Sequence, residues 1–79
     1  MLLVYTRDRM PLGWAATTAN LAWVRYALFE RTGDVAHLDA ALTDAHGALE
    51  VYEAAGAVDV VETARPLVQQ LEAKRAALP

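Results

Sequence analysis

Two histidines and ten acidic residues are the groups in this sequence that could hold a metal or move a proton. His37 and Asp44 stand two helical turns apart on one edge of a helix. His46 and Glu50 stand one turn apart on the opposite edge, with Asp39 close by on the wheel. Either pair supplies two ligands, whereas a zinc site takes three or four. The pairs also face different ways, so they read as solvated polar residues, and no metal or cofactor is expected. The chain has no Cys and no Ser, which removes disulfides and the two commonest nucleophiles. It has no His-Glu-x-x-His, no P-loop and no dinucleotide-binding glycine pattern. Lys74, the one lysine, sits in a last helical turn. A catalytic role is therefore not expected.

The residues suited to contact another protein are Trp23 and Tyr26, three apart on the first helix, with Arg25 between them and Arg7 and Arg9 upstream. Trp, Tyr and Arg are the side chains that most often anchor interfaces. Arg25 could also recognise a carboxylate. The net charge of −3 is unevenly spread. Arg7, Arg9, Arg25 and Arg31 lie early. No Lys or Arg falls between Thr32 and Ala64, where Asp34, Asp39, Asp44, Glu50, Glu53, Asp59 and Glu62 lie. A nucleic-acid binder would show a basic stripe, and this chain has an acidic middle instead. That middle is a solvated face or a docking surface for a basic partner or for the Arg-rich end of another copy.

These residues must be positioned by helices. The hydrophobic share of 56% is inflated by alanine, which favours helix. There is no Ile, and no stretch alternates as a strand would. The spacing predicts a first helix from about Leu12 to Arg31, with Pro11 in its first turn and Gly33 after its end. A second runs from about Val35 to Ala55, capped by Asp34. Its buried face is Leu38, Ala41, Leu42, Ala45, Ala48, Leu49 and Tyr52. A third runs from about Asp59 to Leu78, apolar through Val60, Val61, Ala64, Leu67, Val68, Leu71 and Leu78, and kinked at Pro66, with a start just before Pro66 as the alternative. The short link between the first two makes an antiparallel hairpin.

The first helix is apolar on two faces. One stripe holds Trp14, Thr17, Leu21, Val24 and Leu28. The other holds Ala15, Ala19, Ala22, Tyr26 and Phe29, with Trp23 at its margin. A helix apolar on two faces is packed on two faces, so this helix is expected in the middle of the stack. The Leu21 stripe is expected to meet Leu42 and the second helix. Trp23 and Tyr26 would then look toward the third helix, the N-terminal segment or a partner.

Sliding the chain along itself places Leu2, Val4 and Tyr5 on Leu49, Val51 and Tyr52, and Leu21 and Val24 on Val68 and Leu71. The chain thus reads as one repeat with a fragment on either side. The stretch from Pro11 to Tyr52 resembles the long tetratricopeptide-type repeats of bacterial proteins. The residues that carry the likeness are Pro11, Trp14, Ala15, Thr17, Asn20, Leu21, Arg31, Thr32, Gly33, Asp34, Leu38, Ala41, Ala48, Leu49 and Tyr52. The likeness does not extend to the last third. It departs from the pattern at Ala22, where Gly is usual, and at Thr18 and Ala19, where Gln and Asn are frequent.

The resemblance implies an all-α fold: a right-handed stack of an antiparallel hairpin and a kinked third helix. Residues 1–10 would be the stub of a preceding helix, 11–55 the repeat hairpin and 57–78 a terminal helix. Its implied role is a protein-binding scaffold. Self-association is the first reading, with a dimer favoured. A monomeric adaptor holding a peptide or helix in a groove is the second, and a metal- or ligand-binding regulatory domain is a distant third. A two-fold dimer would pair first helices through Trp23 and Tyr26. A head-to-tail contact would set the third helix against the stub. Neither nucleic acid nor membrane is an expected partner, and a cytoplasmic location is the default.

Overall fold

The computed structural model describes residues 9–78. They form three α-helices: α1, Pro11–Thr32; α2, Val35–Ala54; and α3, Val58–Ala76. No strand occurs among the described residues. Most of the expected stub, including Arg7, lies outside them.

Each boundary has a local cause. Pro11 opens α1, where its missing N–H has no intrahelical partner to lose. Gly33 ends that helix in the left-handed region at φ 74°, donating its N–H to Phe29 O at 2.7 Å. Asp34 Oδ1 then accepts from the Ala36 N–H at 3.0 Å and caps α2. Gly56, at φ 69°, reverses the chain after α2. The Ala57 N–H donates back to Tyr52 O at 3.0 Å. Asp59 in the first turn of α3 and Lys74 and Arg75 in its last both suit the helix dipole. α3 is continuous through Pro66. Pro66 cannot donate to the Glu62 carbonyl, but both residues are exposed, so water can serve it.

The helices run antiparallel in turn. Ala15, near the start of α1, clusters with Ala48, Val51 and Tyr52 near the end of α2, together with Val61 and Ala64 of α3. Tyr26 and Phe29, near the end of α1, cluster with Leu38, Ala41 and Ala45 of α2 and with Leu67, Val68 and Leu71 of α3. α2 packs against both neighbours along its length, while α1 and α3 touch little. The central helix is therefore α2, not α1. The extents of 40 × 30 × 15 Å describe a slab little thicker than one helix. Its radius of gyration, 13.0 Å, exceeds the value of about 11.6 Å that scaling gives a compact chain of this length.

The rotation of α1 differs from the sequence expectation. The buried stripe is Ala15, Thr18, Ala22, Tyr26 and Phe29. Leu21, Val24 and Leu28 are 42%, 56% and 40% exposed. The reason is shape. α2 presents Ala41, Ala45 and Ala48, all essentially inaccessible, and alanines on α1 let the two backbones approach closely. The leucine stripe would hold the helices apart. Trp14 of that stripe reaches α2, lying half-buried over Gly47. A Cβ added at Gly47 would stand 3.2 Å from the Trp14 ring.

Leu38 and Leu71 are the largest fully buried side chains. Leu38→Ala or Leu71→Ala should cost about 2–5 kcal/mol in a urea melt, the usual range for a core cavity. Leu21→Ala should cost less than about 1 kcal/mol, since it opens no cavity. Equal losses at Leu21 and Leu71 would refute the rotation of α1. Burial also raises the Tyr52 phenol above its ordinary pKa of 10.0. The folded chain then holds that proton more tightly than the unfolded one. The associated stability is complete below pH 10 and is lost as pH rises through the folded value. Urea melts between about pH 9 and 11 should show this decline, and Tyr52→Phe should flatten it. An unchanged slope in the variant would assign the decline to other groups.

Candidate functional site

The two apolar faces of α1 meet different surroundings. On the inner side an aromatic series descends into the core. Trp23 and Tyr26 meet edge to face with centroids 6.5 Å apart, and Tyr26 and Phe29 stack at 6.4 Å. Tyr26 is 7% exposed and Trp23 50%. Tyr26 is therefore a core residue, and of the expected aromatic pair only Trp23 is offered to a partner.

Arg25 is also committed inside the chain. Its Nε lies 3.2 Å from Asp44 Oδ2, joining α1 to α2. The distance suits an ion pair but the alignment does not make a hydrogen bond, so Oδ2 is buried without one. Arg9 is exposed just ahead of α1.

The acidic middle of the chain is largely used as a seam. Arg75 Nε donates to Asp39 Oδ1 at 2.8 Å, and an Arg65 guanidinium nitrogen donates to Glu53 Oε2 at 3.2 Å. Between them His46 Nε2 stands 3.9 Å from Glu72 Oε1. Asp39, His46 and Glu53 recur every second turn of α2 and meet α3 in antiparallel order. Such exposed pairs contribute little stability, about 0–1 kcal/mol each. They do favour one register of α3 on α2. With Asp39, Asp44 and Glu53 paired internally, the acidic face has less charge to offer a basic partner. Asp44, His46 and Glu50 line one cleft over α2, with Asp39, Glu72 and Arg75 around it. Among the described residues no three His, Asp or Glu side chains come together as a metal-binding group.

A cleft of about 990 Å³ lies over α2 between α1 and α3, lined by Trp14, Asp39, Asp44, His46, Glu50, Glu72 and Arg75, and two uncharged surfaces among the described residues could also receive a partner. The first is the outer face of α1, where Leu21, Val24 and Leu28 stand on successive turns with exposed Thr17, and Arg31 follows Val24 two turns on. The second is a groove of about 230 Å³ between α1 and α3. Asn20 and Trp23 line one wall, Val60, Thr63 and Leu67 the other, and Tyr52 the floor. It holds no charged residue and is smaller than most small-molecule sites, which begin near 300 Å³.

The remaining residues singled out in the sequence fall as follows. Pro11 and Gly33 bound α1. Ala15, Leu38, Ala41, Ala48 and Tyr52 are buried, and Leu49 is half-buried. Sequence reasoning missed the α1–α3 groove and misassigned the exposed stripe. The signal available was the matching of alanines, Ala15 and Ala22 against Ala41, Ala45 and Ala48, with Gly47 opposite Trp14. No helix is long and apolar enough to cross a membrane among the described residues. Comparison with protein-family models, with curated proteins and with solved structures finds no match for this chain.

Proposed function

We propose that this chain is a protein–protein interaction module of the tetratricopeptide-like helical-repeat kind, and that it associates with itself. The observation that carries the reading is the exposed apolar row Leu21, Val24 and Leu28 on the outside of α1. A slab of three helices has little interior, and a stable monomer gains nothing by leaving Leu21, Val24 and Leu28 in water. An exposed apolar row of this kind is a candidate association surface. In a stack of helical hairpins, α1 and α2 would be one repeat and α3 the first helix of the next. α3 exposes Asp59, Glu62, Gln69 and Gln70, which suits a terminal helix, although Val58 and Val60 are exposed at its start. The role is scaffolding, with no catalytic step assigned to any residue.

The α1–α3 groove supports a second reading, a monomeric adaptor that takes an apolar side chain of a peptide against Trp23 and Tyr52. Static light scattering over a concentration series separates the two. Self-association predicts a mass that climbs from 8.6 kDa toward twice that value as concentration rises into the hundreds of micromolar. A constant 8.6 kDa across the series would overturn it and leave the groove as the working site.

A further inference from the structure

We propose that the cleft over α2 receives an arginine side chain of a basic peptide, stacked on Trp14 and paired with Glu72. This rests on the reading of the chain as a protein-interaction module and does not depend on self-association.

Gly47 makes the cleft. A glycine in the middle of a helix is less favourable than an alanine, and α2 is otherwise rich in alanine. What Gly47 provides is room. A Cβ there would stand 3.2 Å from the Trp14 ring, tighter than ordinary contact. Without that Cβ the indole lies down on α2, half-buried. The ring becomes one wall of an opening of about 990 Å³, whose other walls come from α2 and from Glu72 and Arg75 of α3. That volume falls at the upper end of the range of ligand pockets, about 300–1,000 Å³.

The sign of the ligand follows from charge. Four carboxylates, Asp39, Asp44, Glu50 and Glu72, line the cleft against one cation, Arg75. Arg75 is committed to Asp39, and Arg25 approaches Asp44 from α1. Glu72 faces the His46 imidazole at 3.9 Å rather than an Arg or Lys. An anion is repelled from such a lining and a cation is drawn to it. Asp44 adds an unmet acceptor, since its Oδ2 is buried with no hydrogen bond. A buried acceptor in that state is costly, and a cation bearing N–H groups brings donors to this carboxylate.

The shape of the cation follows from the aromatic wall. A guanidinium is planar, stacks on an indole face and presents several N–H donors to carboxylates. An ammonium is a compact and more strongly hydrated charge, with less to gain from the ring. The same carboxylates do not make a metal site, because among the described residues no three His, Asp or Glu side chains come together to hold one.

The chain has two tryptophans, so Trp23→Phe leaves Trp14 as the sole indole reporter. In that background, titration with the peptide acetyl-Gly-Arg-Gly-amide should give a saturable change in Trp14 emission. The citrulline analogue, of the same shape but uncharged, should bind at least tenfold more weakly. Glu72→Gln should weaken the arginine peptide at least threefold. Gly47→Ala, which lifts the ring into the cleft, should weaken it further, with far-UV circular dichroism unchanged in both variants. Equal responses to the arginine and citrulline peptides, or no saturable change at tens of millimolar peptide, would overturn the proposal. A peptide that binds a chain found monomeric by light scattering would keep this inference and remove self-association. A null titration of a chain that still associates would do the reverse.

Discussion

The close approach of α1 and α2 is the constraint on which the rest of the molecule depends. Ala15 and Ala22 lie against a face of α2 built from Ala41, Ala45 and Ala48, and all five are sealed from solvent. Small side chains bring two backbones near enough for dispersion contacts along the whole seam, and the packing tolerates little added volume. Once that seam forms, the rotation of α1 is set. Tyr26 and Phe29 turn inward to meet Leu38 and Leu71, and the leucine stripe is carried to the outside.

α3 is then held by what α2 has left over. Its buried residues complete both apolar clusters, and the seam of Asp39–Arg75, His46–Glu72 and Glu53–Arg65 lies along the solvent edge. The clusters supply most of the energy, since exposed ion pairs contribute little. The pairs select the alignment, because sliding α3 by one turn would part all three. Pro66 fits this arrangement because it sits on the exposed side, where a missing backbone hydrogen bond can be made up by water.

The outcome is a slab with unlike ends. α3 exposes mostly polar residues apart from Val58 and Val60 at its start, while α1 exposes the row Leu21, Val24 and Leu28. The α1–α3 groove lies between them, uncharged and small. Both of these uncharged surfaces have the chemistry of protein contacts, while the charged side chains Asp39, Asp44, His46, Glu50, Glu72 and Arg75 line the separate cleft over α2. An extended partner and a second copy would thus engage different sides of the same helix: Trp23 on the groove side, Val24 on the outer side.

The sequence by itself determined the three helices and nearly all their ends, because those rest on local chemistry. Pro11, Gly33, Asp34 and Gly56 act within a few residues of themselves, and helical periodicity within α2 and α3 marks a single buried face on each. It also determined that α1 has two apolar stripes. It did not determine which stripe is buried. Hydrophobicity ranks Leu21, Val24 and Leu28 above Ala15 and Ala22, so a reading by side-chain character puts the leucines inside. Only the tertiary structure weighs the alternative, because the preference lies in the fit between two alanine surfaces on different helices. The same limit hid the commitment of Arg25 to Asp44 and of Arg75 to Asp39. Those partners are far apart in the chain and become neighbours only after the helices have docked.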